Sequence, residues 1–178
     1  MWIPILIGLS VLVVLFLIVV AMQPTEFTLT RSAVMNAPAE AVFAQVNDFH
    51  QWEAWSPWVE MDPAAKNTFS GPASGKGAEF MWEGNNKVGM GKMTITESRP
   101  SDLILIRLEF FKPFKATNVT EFTFKQSDAQ TLTTWTMSGR RAYCQKAFCM
   151  FMNMEKMVGS QFEKGLDKMR ILVEGARS

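Results

Sequence analysis

The chain has 178 residues, with 18 basic and 17 acidic side chains and a single histidine, for a formal net charge of +1. No basic stripe stands out, which excludes an ordinary nucleic-acid binder. The two cysteines, Cys144 and Cys149, have no histidine beside them to complete a zinc site, and at five residues apart on a helix they do not face each other for a disulfide. They read as small apolar packing groups.

The first charged side chain is Glu26. From Trp2 to Met22 the chain is apolar apart from Pro4, Gly8 and Ser10. At 1.5 Å rise per residue, about 20 such residues cross the roughly 30 Å hydrocarbon core of a bilayer. The segment is expected to be a retained single-span anchor, with Trp2 suited to the interface. A cleaved signal peptide is the competing reading, and Val19 and Ala21 mimic its small-residue cleavage site. The uncharged start and the long apolar core fit it poorly. A buried core helix fits less well, because no polar residue marks a solvent face. Arg31 is the one basic residue within about ten positions after the span, which leans the following domain weakly to the cytoplasmic side. No polybasic cluster follows the span, so electrostatic recognition of anionic lipid is not indicated by the sequence. Gln23-Pro24-Thr25 reads as a short polar hinge, dividing an anchor segment, residues 1–25, from a single domain, residues 26–178.

Glu26 to Met35 alternates polar and apolar residues and predicts a strand, with Phe27, Leu29, Ala33 and Met35 in one phase. Asn36-Ala37-Pro38 starts a helix whose stripe is Ala39, Val42, Phe43 and Val46. Three tryptophans follow at spacing three, Trp52, Trp55 and Trp58, and Pro57 limits any helix to the part before it. From Thr68 the period becomes two. Phe80 and Trp82 alternate with Glu79, Met81 and Glu83, and Gly84-Asn85-Asn86 predicts a tight hairpin turn. Further strands are expected over Val88–Glu97 and Leu103–Phe111, then around Phe122 and Phe124, and last over Thr131–Gly139. The chain then becomes helical, with Met154, Met157, Val158, Phe162, Leu166, Met169, Leu172 and Val173 at the spacing of a buried stripe.

This order resembles the helix-grip fold of the START-like, or SRPBCC, superfamily, which includes plant allergens of the Bet v 1 type and lipid-transfer domains. The stretches that carry the resemblance are Asn36-Ala-Pro-Ala-Glu-Ala-Val-Phe43, Val46-Asn-Asp-Phe-His-Gln-Trp52 running into Trp55-Ser-Pro-Trp58, and Asp62-Pro63. Gly71-Pro-Ala-Ser-Gly-Lys-Gly77, the Trp82-Glu-Gly-Asn turn and Val158-Gly-Ser-Gln-Phe-Glu-Lys-Gly-Leu166 add to it. They are similar to the bacterial polyketide cyclase/dehydrase-like branch over about residues 26–175. The resemblance implies an α+β fold: a curved antiparallel sheet of about seven strands around a long C-terminal helix, with a hydrophobic cavity between them. It fixes a cavity and not a reaction.

Strand and helix parity then name the inward side chains: Phe80, Trp82, Ile104, Ile106, Leu108, Phe110, Phe122, Phe124, Trp135 and Met137 from the sheet, with Phe162, Leu166 and Met169 from the helix. They are either ligand-lining residues or plain core. The tryptophan segment, Trp52, Trp55 and Trp58, is either a lid or membrane contact, or an aromatic plug at one end of the core. No catalytic constellation is legible. His50 reads as a solvated imidazole. Glu79, Glu83, Glu109 and Glu121 fall on the face away from the cavity, and cyclase chemistry needs an acid or base within it. Arg140-Arg141 ends the last strand as a solvated pair or an anionic head-group contact. Cys149, Met150, Met152, Met154 and Met157 read as packing residues rather than soft-metal ligands. Asn118-Val119-Thr120 is a sequon inside a strand and is discounted as a glycosylation site.

The expected function is therefore a membrane-anchored binder of a lipid or other hydrophobic small molecule, with no metal or cofactor. The partners expected are the lipid bilayer, a hydrophobic ligand and a membrane protein, and no nucleic acid. The alternatives are a cyclase/dehydrase-like enzyme and a non-catalytic accessory subunit of a membrane complex.

Overall fold

The computed structural model describes residues 2–151 and 154–176. Helix α1 (Trp2–Met22) precedes β1 (Glu26–Met35), α2 (Ala39–Asn47), a 3-10 turn over Phe49–Gln51, α3 (Trp52–Trp55) and α4 (Pro57–Met61). Six strands follow: β2 (Lys66–Ser70), β3 (Glu79–Glu83), β4 (Met90–Arg99), β5 (Leu103–Lys112), β6 (Ala116–Ser127) and β7 (Gln130–Arg140). Helices α5 (Tyr143–Phe151) and α6 (Met154–Gly175) end the order. The seven strands form one antiparallel sheet in the order β1-β7-β6-β5-β4-β3-β2, so the first strand closes against the last. This is the helix-grip fold, with α6 on the inner face of a curved sheet.

The strands form where apolar side chains recur every second residue, and each presents that set to α6. Ile104, Ile106, Phe122, Phe124, Trp135, Phe162, Leu166 and Met169 are all buried in one core. Each full burial contributes about 1.5–3 kcal/mol relative to exposure. A register shift between Ile95 and Glu97 in β4 puts one extra residue against β5 and bends the sheet there. Gly165 lets α6 approach closely. A Cβ at this position would lie 3.1 Å from Trp135 Cζ3 and 3.3 Å from Pro57 Cδ. Gly165→Leu is expected to lower the unfolding free energy by about 1–3 kcal/mol through overpacking, despite the better helix propensity of leucine. A chemical-denaturation series would check this, and an unchanged or raised midpoint would refute it.

Four sequence expectations are corrected. Pro57 does not merely stop a helix: it occupies the first turn of α4, where its missing N–H has no intrahelical partner to lose. The β3–β4 link is a six-residue loop, Gly84–Gly89, rather than a tight turn. Asn85 Oδ1 accepts from the Lys87 and Val88 N–H groups, and the Trp82 indole N–H donates to the Val88 carbonyl at 3.0 Å. Met157 and Leu172 are exposed, because the core contact of α6 narrows to Val158, Phe162, Leu166, Met169 and Val173. The side chain of Met154, placed on the same stripe, and Met152 lie outside the described residues. Finally, the hinge is shorter than Gln23–Thr25, since the Arg141 N–H donates to the Thr25 carbonyl at 2.7 Å and ties that residue to the domain.

Helix α1 is long and apolar enough to cross a membrane by length and composition. Among its described side chains only Val20 is buried, so α1 is no core helix of this fold.

Two outward carboxylates tie elements together. Glu60 on α4 pairs with Lys168 on α6, and the Lys168 hydrogen bond holds its carboxyl below the ordinary glutamate value of 4.5. Glu79 on β3 is lowered likewise, first by the hydrogen bond from Lys92 at 3.1 Å and then by that from Ser70 at 3.0 Å. Both carboxyls bind protons more weakly folded than unfolded. Their stabilisation is therefore present above about pH 4.5 and lost as pH falls through the lower folded values. Melting temperature is expected to decline below that pH, and the decline should be shallower in Glu79→Gln. A Glu79→Gln profile identical to the parent's would sink this assignment.

Candidate functional site

The inner face of the sheet has two ends of different character. At one end six aromatic side chains fill the space under α6. The Trp135 ring stacks on Phe162 at 3.9 Å and 6° and on Phe122 at 4.8 Å. Trp55 and Trp58 each meet Trp135 edge-on at 5.7 Å, and Trp52 meets Phe122 at 5.9 Å. The indole N–H groups of Trp52 and Trp55 donate to the carbonyls of Val46 and Gln45, at 3.0 and 3.1 Å. These carbonyls end α2 and have no partner within it. The short helices thus form because tryptophan rings complete the core while their polar edges cap a neighbouring helix.

This packing corrects the reading of Trp52 and Trp55 as membrane contacts. Both are buried, Trp55 at 0% exposure, and neither has a face to offer a bilayer. Trp58 is partly buried against the same cluster. The aromatic plug is the arrangement their geometry matches.

The other end lies toward α1. There Trp82, Phe110, Met137 and Val158 are only partly buried, and two polar residues join them on the inner face. Asn118 and Thr120 on β6 are buried. The Asn118 Nδ2 group makes one long contact to Met137 Sδ at 4.0 Å, and its Oδ1 is buried with no hydrogen-bond partner among the described residues. Gly139, paired with Asn118 across the β6–β7 ladder, leaves room for that side chain: a Cβ there would collide with Asn118 Oδ1. The Trp135 Nε1–H is the second buried group without a partner. Native interiors satisfy almost all such groups, so each calls for an explanation. Burial of Asn118 also closes its sequon to glycosylation.

The sequence-predicted lining residues are brought together, though not all are equivalent. Ile106, Leu108, Phe122, Trp135, Phe162, Leu166 and Met169 are buried core, while Phe80, Trp82, Phe110 and Met137 are partly exposed toward the interior edge. Parity alone would have placed Asn118 and Thr120 with Phe122 and Phe124. Sequence reasoning passed over them because it ranked apolar residues. Arg31 also points inward: its guanidinium lies over Gly159 and bonds Glu163 Oε1 at 2.6 Å. Glu79, Glu83, Glu109 and Glu121 lie on the strand faces opposite the inward set, as parity requires, with Glu79 held by Lys92, Ser70 and Thr94.

A concavity lies at the β2–β3 edge of the sheet. It is a half-open pocket of about 250 Å³ lined by Phe49, His50, Phe69, Ala78, Glu79 and the Ser70–Ala73 turn. His50 is stacked on Phe69 at 4.1 Å, and its Nδ1 lies 2.7 Å from Asp48 Oδ1. Burial raises the Asp48 carboxyl, but hydrogen bonds from the His50 backbone and ring and from Gln51 together leave it below its ordinary value. The histidine is thus exposed but oriented, which the sequence could not show because Phe69 comes from another element.

A family model described as polyketide cyclase / dehydrase and lipid transport matches residues 26–174. The chain belongs to that family. Its members' fold is also that of solved structures. A Chromobacterium violaceum protein is 15% identical with a TM-score of 0.57, covering 85% of this chain and 99% of its own. A Mesorhizobium loti protein is 16% identical with a TM-score of 0.60, covering 83% and 97%. The di-domain ARO/CYC protein StfQ of the steffimycin biosynthetic pathway is 8% identical with a TM-score of 0.65, covering 86% of this chain and 52% of its own. At these identities the likeness is one of fold alone. None of the curated proteins is similar enough to match. Family membership marks residues 26–174 as a hydrophobic-ligand-binding or cyclase-type domain.

Proposed function

We propose that the protein is a membrane-anchored binder of a hydrophobic small molecule or lipid, held between the inner face of the sheet and α6. The observation that carries this reading is the buried, unpartnered Asn118 Oδ1 beside partly buried Met137 on that face, with the Trp135 Nε1–H of the filled aromatic cluster as a second such group. An apolar ligand with one or two polar atoms matches such a lining. Phe80, Trp82, Phe110 and Met137 would contact its apolar part, and the buried set from Ile106 to Met169 would form the wall. Helix α1 would keep the domain at the bilayer, the store of such ligands. The single arginine soon after the span leans the domain to the cytoplasmic side.

Binding is favoured over cyclase chemistry because the two unpartnered groups are an amide and an indole, and neither exchanges a proton near neutral pH. The filled aromatic end favours an accessory, purely structural role as the second reading.

The test is extraction from native membrane in mild detergent, followed by mass spectrometry of co-purifying small molecules. One hydrophobic species in near-stoichiometric amount is expected. Gly139→Leu, which drives a side chain into the space beside Asn118, should reduce it severalfold. Absence of any enriched species from a folded parent protein would end the binding reading.

A further inference from the structure

We infer that the end of the domain beside α1 is a membrane-seating face, built to rest on an anionic bilayer surface around the point where α1 leaves it. The inference rests on the anchor reading above and adds a second, peripheral contact to it.

Strand register decides which segments meet at this end. Glu26, the first residue of β1, pairs with Arg140, and Gly139 pairs with Asn118 near the start of β6. Phe110 pairs with Ala116, so the β5–β6 connection projects past the same end of the sheet. Helix α5 then turns back along α1. The Tyr143 hydroxyl donates to the Leu17 carbonyl at 2.6 Å, and the Arg141 guanidinium lies over the Phe27 ring at 4.9 Å. Leu17 lies five residues before the end of α1, or about 8 Å along the axis at 1.5 Å per residue. A helix docked there lies at the depth of the headgroup–acyl boundary, where amphipathic helices sit in the plane of the membrane.

The exposure pattern of α5 is the reverse of what water favours. Tyr143 and Phe148 are each 47% exposed, whereas Lys146 is 9% exposed. On a water-facing helix the apolar residues turn inward and the lysine outward. The β5–β6 connection repeats the chemistry from an independent part of the chain. Phe114 is 51% exposed and sits between Lys112 and Lys115, and Phe111 is exposed beside them.

Charge commits the face to a bilayer rather than to a neutral apolar partner. No acidic residue lies between Glu109 and Glu121, or between Asp128 and Glu155. Those two stretches contribute Lys112, Lys115, Arg140 and Arg141 to this end, while Lys146 is turned inward. Aromatic side chains interleaved with basic ones suit the interface of an anionic leaflet. The basic cluster absent from the sequence just after the span is thus supplied in space by residues about ninety to a hundred and twenty positions downstream of it.

The test uses the full chain with Cys144→Ser and Cys149→Ser, carrying one nitroxide label at Phe148→Cys, Phe114→Cys, Leu12→Cys or Ala129→Cys. It is reconstituted in phosphatidylcholine vesicles with and without one-third phosphatidylglycerol. Collision of each label with oxygen and with a water-soluble nickel chelate is read by electron paramagnetic resonance. Labels at 148 and 114 are expected to be oxygen-accessible and severalfold less nickel-accessible than the label at 129. Nickel accessibility at 114 should rise when phosphatidylglycerol is omitted. Lys112→Gln with Lys115→Gln should abolish that dependence. A lipid-immersed label at 12 with nickel-accessible labels at 114 and 148 would overturn the seating face and leave the anchor standing. Labels at 114 and 148 shielded from both probes would assign the face to a protein partner or a second copy, and would also overturn it. A nickel-accessible label at 12 would remove the anchor reading and this inference together.

Discussion

Trp135→Ala is expected to lower the unfolding free energy by about 3–5 kcal/mol, the largest single-residue effect in the domain. The ring is buried and stacked on Phe162 from α6 and Phe122 from β6, with Trp55 and Trp58 against its edges. These partners come from four elements, so their backbones restrain one another and the void cannot collapse cheaply. Trp135→Phe separates packing from polarity. It forfeits part of the ring's contact area but removes a buried N–H without a partner, a group whose desolvation costs about 1–3 kcal/mol. The two effects oppose, and the net change should stay within about 1 kcal/mol. Chemical denaturation of the detergent-solubilised full chain measures both variants. An alanine variant within about 1 kcal/mol of the parent would show that the cluster is not the keystone of this core. Under the binding reading, Trp135→Phe should also weaken ligand retention while leaving stability nearly intact.

Leu9→Arg, Leu12→Arg and Leu15→Arg together are expected to move the protein out of the membrane fraction. Residues 2–22 include fifteen Ile, Leu, Val or Phe side chains. At about 0.3–0.6 kcal/mol each, they favour insertion by roughly 4–9 kcal/mol. One central arginine costs about 2.5–3.5 kcal/mol and does not overcome that sum, whereas three cost about 8–10 kcal/mol and do. Alkaline carbonate extraction of membranes should therefore leave the single variant Leu12→Arg in the pellet and release the triple variant. Release of the parent chain by carbonate would defeat the anchor reading, including its contrast with a cleaved signal sequence.

These two predictions draw on different kinds of information. The apolar run of α1 was legible because it depends only on composition over consecutive residues. The strand phases of Phe80 and Trp82, of Ile104 to Phe110 and of Phe122 with Phe124 were legible too, because a period of two fixes the face of every residue once one face is buried. The same parity placed Glu79 and Glu109 outside. Family resemblance supplied what periodicity cannot, that these faces wrap one long helix.

Three features were not legible. The tryptophan segment reads equally as lid or plug until its rings find Trp135 and Phe122, which lie about sixty to eighty residues later in the chain. Asn118 was visible only as a discounted sequon, since its meaning depends on Gly139 standing opposite it in the ladder. Arg140 and Arg141 read equally as a solvated pair or a head-group contact until β1 paired with β7 and set them beside the end of α1.

By itself, then, the sequence determined the elements, the inward faces and the presence of a span-length apolar helix, because each follows from local periodicity or composition. Only the tertiary structure decided which end of the interior is filled, which polar groups are left without partners there, and which charges gather at the foot of α1. Those depend on register and packing between residues far apart in the chain, and no window along the sequence contains both partners.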